Sequence, residues 1–231
     1  MVVTIVVSAI ALGRWQLRRL AARKASNAVL LAARTLPAVD LGAPDPVEGT
    51  VAGRRVTAKG VFDPARQLLI RGRVQDQSPG LDVVTPLVLS GRARVVWVRR
   101  GFVRSPDAAT PPDVIPPPDT GLVQVTGIAV EAPERSDSGK PLRRGNVTTW
   151  SRLDGAVIRS RAASSLPFEL LLAGDSAGPG RLTPVPVPEL TNGPHLSYAI
   201  QWFGIALAAL LFGVIFLWRE RPGFVRPPGA P

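Results

Sequence analysis

A single histidine, His195, supplies the only imidazole in a 231-residue sequence that contains no cysteine. That inventory removes thiol nucleophiles, disulfide frameworks, cysteine zinc sites and any mechanism that needs two histidines. No glycine-rich phosphate loop leads into a helix, and no Gly-x-Ser-x-Gly elbow occurs. A Ser-His-Asp triad would have to use His195, which stands at the foot of an apolar segment, a poor place for a water-excluded acyl site. None of the 17 carboxylates lies at a metal-ligand spacing from His195. These residues argue against an enzyme. What His195 can do is set by its helical neighbours. At about 100° per residue, His195, Tyr198 and Trp202 share one face, with Ala199, Ala206 and Ala209 alongside. An imidazole above small and aromatic side chains at a membrane surface can hold a haem iron. The same residue can equally serve as an interfacial anchor for a helix end. Gln201, about two turns in, is a polar group that needs a partner in lipid, either the first helix or another protein.

The element that carries His195 is a membrane helix. Leu196–Trp218 is 23 residues without a formal charge, about 34 Å of helix against a hydrocarbon core of about 30 Å. Tyr198 and Trp202 lie near one end and Trp218 at the other, as interfacial aromatics do, and Arg219, Glu220 and Arg221 stop it. Val2–Leu12 is also apolar, and Trp15 and Leu17 prolong its face if Arg14 snorkels to the head groups. This first segment is short of the roughly 20 residues of a full crossing, and is expected to be an anchor helix rather than a cleaved signal. Ala9 with Gly13, Gly204 with Ala208, and Ala209 with Gly213 are small residues four apart that let membrane helices approach closely.

Net charge is +11, and its placement matters more than its size. Residues 14–26 carry +5, residues 27–194 carry +4 from 20 basic and 16 acidic groups, and residues 218–231 carry +2. The excess flanks the apolar runs and suits anionic lipid head groups. A nucleic-acid surface would need a basic stripe with interleaved aromatics on the folded part, and the nearest candidate, Arg92, Arg94, Arg99 and Arg100 around Trp97, lies on a strand whose apolar positions read as core. No nucleic-acid partner is expected. Two spanning helices place both termini on one side and residues 27–194 on the other. By charge, the cluster at 14–24 favours a cytoplasmic middle, and the last residues favour a cytoplasmic tail.

Gly and Pro number 22 and 24, too many for a long-helix domain and suited to strands joined by turns. Strands are expected at 51–62, 67–71, 81–89 (with Pro86 at a bulge or edge), 92–103, 122–130, 148–151, 168–173 and 182–187. Val95, Trp97 and Arg99 fall on one face. Residues 105–118 form a Pro-rich extended loop, 133–146 a mobile polar loop, and 153–166 one amphipathic helix begun by Asp154. The fold class is a membrane protein of α+β type: two transmembrane helices flanking an antiparallel β-rich domain, a sheet or small barrel.

Two terminal stretches resemble a known family. Leu12-Gly13-Arg14-Trp15-Gln16-Leu17, followed by Arg18, Arg19 and Lys24, is similar to the signature leaving the first membrane helix of the Surfeit locus protein family. Asn192-Gly193-Pro194-His195-Leu196-Ser197-Tyr198-Ala199-Ile200-Gln201-Trp202-Phe203 resembles its signature entering the second. Thr85-Pro86-Leu87 and Arg99-Arg100-Gly101-Phe102-Val103 look like its central strand motifs, with Phe102 where the family usually has Trp and Gln201 where it usually has Thr. The resemblance implies a non-enzymatic assembly factor for haem–copper cytochrome c oxidase in the cell membrane. It implies residues 1–26 as first helix and basic flank, 27–194 as an extracytoplasmic domain, 195–218 as second helix and 219–231 as a cytoplasmic tail. Oxidase subunits, the catalytic one above all, and membrane lipid are the implied partners. Haem a is the implied cofactor, assisted into the catalytic subunit. His195 maps onto the family's histidine as its axial ligand, with Trp15, Tyr198 and Trp202 as walls and Arg14, Arg18 or Arg19 for the propionates. The alternative is a non-haem scaffold or accessory subunit on the mature oxidase.

Overall fold

A computed structural model describes residues 1–43, 51–132, 140–144, 147–172 and 181–220. The chain divides into two compact units, Met1–Val29 with Glu189–Pro231, and Leu30–Pro188.

The first unit pairs two helices, α1 (Val2–Thr35, whose last turns belong to the second unit) and α3 (His195–Arg219). On α1 the inward residues are Val2, Val6, Ala9, Gly13, Gln16, Leu20 and Asn27, and on α3 they are His195, Ala199, Trp202, Ala206, Ala209 and Gly213. From Val2 to Leu20 and from His195 to Gly213 the steps alternate between four and three, the spacing of a heptad seam, and Asn27 lies one heptad beyond Leu20. The seam is antiparallel: a Cβ on Gly13 would lie 2.7 Å from the Phe203 ring, and one on Gly213 would lie 2.8 Å from Val2 Cγ1. Two of the three small-residue pairs, Ala9/Gly13 and Ala209/Gly213, therefore face the seam. Gly204 meets nothing within 4 Å and Ala208 is exposed, so the third pair faces outward. Nearly all of the apolar surface of α3 is exposed, including Ile200, Leu207, Phe212, Ile215 and Trp218, which in a water-soluble domain would be a large uncovered patch. Among the described residues, α3 is the helix long and apolar enough to cross a membrane.

The second unit is a barrel with a sheet extension. Its strands are β1 (Val39–Asp40), β2 (Arg55–Phe62), β3 (Leu68–Gln75), β4 (Ser78–Leu89), β5 (Val95–Arg104), β6 (Val123–Glu131), β7 (Pro141–Arg144), β8 (Val147–Trp150) and β9 (Ser165–Leu172). They run in the order β1-β2-β6-β9-β5-β4-β3-β8-β7, and a further β2–β4 pairing closes β2-β6-β9-β5-β4 into a five-stranded barrel. Strand β4 makes closure possible because it is long enough to change partner: Val84 still pairs with Leu68 of β3, while Leu87 already pairs with Phe62 of β2. Pro86, which has no N–H to leave unpaired, sits at that change. Alternation then sorts the side chains. Val56, Ala58, Leu87, Val96, Val98, Ala129 and Leu170 pack together as one core. Val95 and Trp97, of opposite parity on β5, join Ile70 and Val84 under the short helix α2 (Gly155–Arg161), which contributes Val157 and Ile158.

The expected small barrel is present, with mixed rather than wholly antiparallel pairing. β9 lies between β5 and β6, antiparallel to β6 and parallel to β5, and periodicity alone carries no information on strand direction. The expected helix 153–166 ends at Arg161. Ala162 is extended, and Ser165 opens β9, where its hydroxyl accepts from Trp97 Nε1 at 2.9 Å. Residues 141–144, expected as loop, form edge strand β7, with Pro141 at its first position where no N–H is required. Residues 133–139 and 145–146 of that stretch lie outside the described residues, as do Ala173 and residues 221–231. Residues 182–187 form no strand beyond the single bridge Phe102↔Thr183. The Pro-rich stretch 105–118 contains neither helix nor strand, as its composition requires.

Candidate functional site at the head of the helix pair

His195 is the first residue of α3, preceded by Pro194 at the cap with no side-chain cap bond. Its Nδ1 lies 2.9 Å from Gln16 Oε1 of α1. Among the described residues Nε2 has no hydrogen-bond partner. Gly193 precedes it in the left-handed region, φ +68°, where a glycine carries no steric cost. A Cβ at Gly193 would lie 3.6 Å from Nε2, in ordinary contact with that edge of the ring, and glycine supplies none. The chain leading to His195 is itself held on α1. Asn27, buried in the seam, donates from Nδ2 to the carbonyl oxygens of Leu190 and Thr191 at 3.3 and 3.1 Å, and to Asn192 Oδ1 at 3.3 Å.

Around this imidazole, Tyr198 is 45% exposed and Trp202 half-buried, and both stay on the His195 side of α3. Trp15 is 50% exposed, so its ring face is open to a ligand or to lipid. Arg14 and Arg18 are exposed, and helix geometry turns both about 160° around α1 from Gln16. Arg19 and Arg23, about 60° and 20° from Gln16, are the arginines nearest its side. Gln201 is exposed, outside the seam, and makes no hydrogen bond to α1 among the described residues. Sequence reasoning named His195 but not the two residues that hold it. Gln16 lay inside the quoted signature, and Asn27 is eleven residues further on, which returns it to the same face of α1 within about 20°.

The central motif does different work. β5 bulges at Arg100, since Val84 pairs with Arg99 and Val83 with Gly101. The bulge sends the two arginines apart. Arg99 bridges two buried carboxylates: Nη1 donates to Asp82 Oδ2 at 2.5 Å, while Nε and Nη2 donate to Glu169 at 3.1 and 2.6 Å. Burial opposes the charge on Arg99, but Glu169 and Asp82 outweigh it and hold the guanidinium above its usual range. Burial pushes the Asp82 carboxyl up against the pull of Arg99 and Arg73. Arg100 stacks 5.9 Å over the Phe62 ring and donates to the carbonyls of Pro116 and Pro117. Gly101 is bare because a Cβ would lie 2.5 Å from Leu182 Cβ, where the returning chain crosses β5. The two arginines of this motif are spent on neighbouring strands and on the Pro-rich loop.

Comparison with known proteins matches residues 3–207 to the SURF1 family. An uncharacterized SURF1-like protein of Mycobacterium tuberculosis is 33% identical over 187 residues, 80% of this chain and 65% of the relative, so the chain spans a little less than two thirds of that relative's length. A SURF1-like protein of Rickettsia felis is 28% identical over 215 residues, covering 90% of this chain and 91% of the relative. One from Monosiga brevicollis is 32% identical over 157 residues, 64% of this chain and 57% of its own. With the family match running from α1 through the barrel into α3, the chain belongs to the SURF1 family.

Proposed function

We propose that this protein is a membrane-anchored, non-enzymatic assembly factor for haem–copper cytochrome c oxidase that presents haem a to, or stabilises, the nascent catalytic subunit. The family supports the oxidase. The observation that carries the haem reading is the His195–Gln16 pair, an imidazole with one nitrogen engaged and the other bare at the head of a lipid-exposed helix. The residues present fit haem a. His195 Nε2 would bind the iron, Tyr198, Trp202 and Trp15 would cover the apolar macrocycle, and the α1 arginines would pair with the propionates. Of these, Arg19 and Arg23 are better placed than Arg14 and Arg18. When bound, haem supplies redox and oxygen chemistry that belongs to the oxidase; this chain's residues only hold and orient it. Residues 1–26 and 195–218 are the membrane anchors, 27–194 the extracytoplasmic domain and 219–231 the cytoplasmic tail.

A second reading, a non-haem scaffold or accessory subunit, is favoured by the outward face of α3, where Gln201 and the bare Gly204 are open to a partner helix. A deletion strain scored for the oxidase spectrum and complemented with His195→Ala separates the two. The haem reading expects loss of the haem a band with the variant. Full rescue by His195→Ala, with stable co-purification of the mature oxidase, selects the scaffold.

A further inference from the structure

We infer that Gln16 is a positioning residue that fixes the tautomer of His195, placing the ring proton on Nδ1 and leaving Nε2 as a ready electron-pair donor before any ligand arrives. The inference rests on the haem reading only for its use. The tautomer itself is a property of the free protein.

An amide oxygen accepts and cannot donate. At 2.9 Å from Gln16 Oε1, Nδ1 must therefore carry the proton when the imidazole is neutral. Nε2 then has its lone pair in the plane of the ring, on the edge beside Gly193. Neutral imidazole is otherwise free to choose either nitrogen, and which one binds a metal is set by the bond the other makes. The pair is also fixed in space from both sides. Gln16 is on α1, in a seam tightened at Gly13 against Phe203, and the backbone entering His195 is pinned by Asn27. The arrangement is an imidazole with one nitrogen engaged by an acceptor and the other free to donate an electron pair.

One histidine in the sequence makes the test direct. The full chain, purified through a tag without histidine and labelled with ¹⁵N-histidine in nanodiscs, gives a single imidazole spectrum. It is recorded at stepwise higher pH until it no longer changes, so that the neutral ring is the species observed. The wild type is expected to show protonated Nδ1 and bare Nε2. Gln16→Leu is expected to move the proton largely to Nε2, while Gln16→Glu, which keeps an acceptor oxygen, retains it on Nδ1. A role confined to packing predicts that the two variants behave alike. A wild-type spectrum with protonated Nε2, or a Gln16→Leu spectrum identical to wild type, overturns the inference. Haem a titration is the separate arm. Loss of about 10–100-fold in affinity with Gln16→Leu is expected. If His195→Ala binds haem a as well as wild type while the tautomer is as stated, the haem reading fails and the assignment to Gln16 stands.

Discussion

Arg99 is the most consequential single cation in the barrel, and its replacement by methionine tests whether the central motif is a brace. The guanidinium makes three charge-assisted bonds to Asp82 and Glu169, whose exposures are 3% and 8%. Arg99→Met keeps most of the side-chain volume but leaves two carboxylates buried near each other, with Arg73, 3.2 Å from Asp82, the cation still in ion-pair reach among the described residues. Breaking a buried ion pair by removing one partner costs about 3–5 kcal/mol. For a unit of this size, about 2–4 °C of Tm per kcal/mol gives a fall of about 6–20 °C. The assay is thermal unfolding of the full chain in detergent, followed by near-UV circular dichroism, to which buried Trp97 contributes. The pH dependence follows from the same geometry. Burial already holds the Asp82 carboxyl above its usual range, and without the pull of Arg99 it rises further. The native state then binds protons more tightly, so stability falls as pH rises through the raised value. The deficit of Arg99→Met is therefore larger at alkaline than at mildly acidic pH. Adding Asp82→Asn and Glu169→Gln removes the unpaired charges and is expected to recover more than half of the loss. A Tm within about 2 °C of wild type, about 1 kcal/mol or less, or a triple variant no better than the single one, refutes the brace.

Two further substitutions read the packing directly. Gly13→Leu forces carbon into the Phe203 ring, already 2.7 Å from a Cβ, and is expected to cost about 1–3 kcal/mol in thermal melts of the helix pair. Gly204→Leu, whose Cβ meets nothing, should stay within about 0.5 kcal/mol; equal effects at the two sites would contradict the seam. In the β3–β4 turn, Asp76 and Gln77 both have positive φ, 48° and 59°, the geometry of a type I′ hairpin built without glycine. Gln77→Gly is expected to stabilise by about 1 kcal/mol, seen as a raised Tm; a fall would mean that the side chain contributes more than the strain it carries.

What could be read from the residues alone follows from the range of the interaction. The α3 span needed only 23 uncharged residues, and strands β4 and β5 needed only short runs rich in branched apolar residues between turn signals. The sorting of Val95 and Trp97 onto one face was likewise local, and the structure puts both under α2. The break of the expected helix at Arg161 was not local, because Ser165 is drawn into β9 by pairing with Val95 and by the Trp97 indole, about seventy residues away in sequence. The bulge at Arg100 depends on the register of β4, and the bare Gly101 on a chain that returns eighty residues later. At the site, His195 stood out as the lone imidazole, while its partner Gln16 is 179 residues distant and had no signal of its own in periodicity. The three small-residue pairs looked alike as sequence; only the position of each on the helix decides that two are inside the seam and one outside.

The two polar motifs differ in what explains them. In the barrel, each guanidinium nitrogen of Arg99 donates to a carboxylate, and Gly101 and Pro86 answer to backbone geometry, so stability and closure account for the residues present. The helix pair needs no such chemistry. A seam of Val2, Val6, Ala9 and Gly13 against Ala199, Ala206 and Gly213 already packs closely, and two apolar residues at positions 16 and 195 would continue it with less desolvation cost. Packing therefore accounts for the close helices but not for a glutamine–histidine pair at their head. Nor does it account for an asparagine that pins the approach to His195. Polar groups placed at the end of a membrane span in this way mark a ligand path more often than a structural need. On the proposed haem reading, the chemistry they prepare is that of a single nitrogen donor, His195 Nε2.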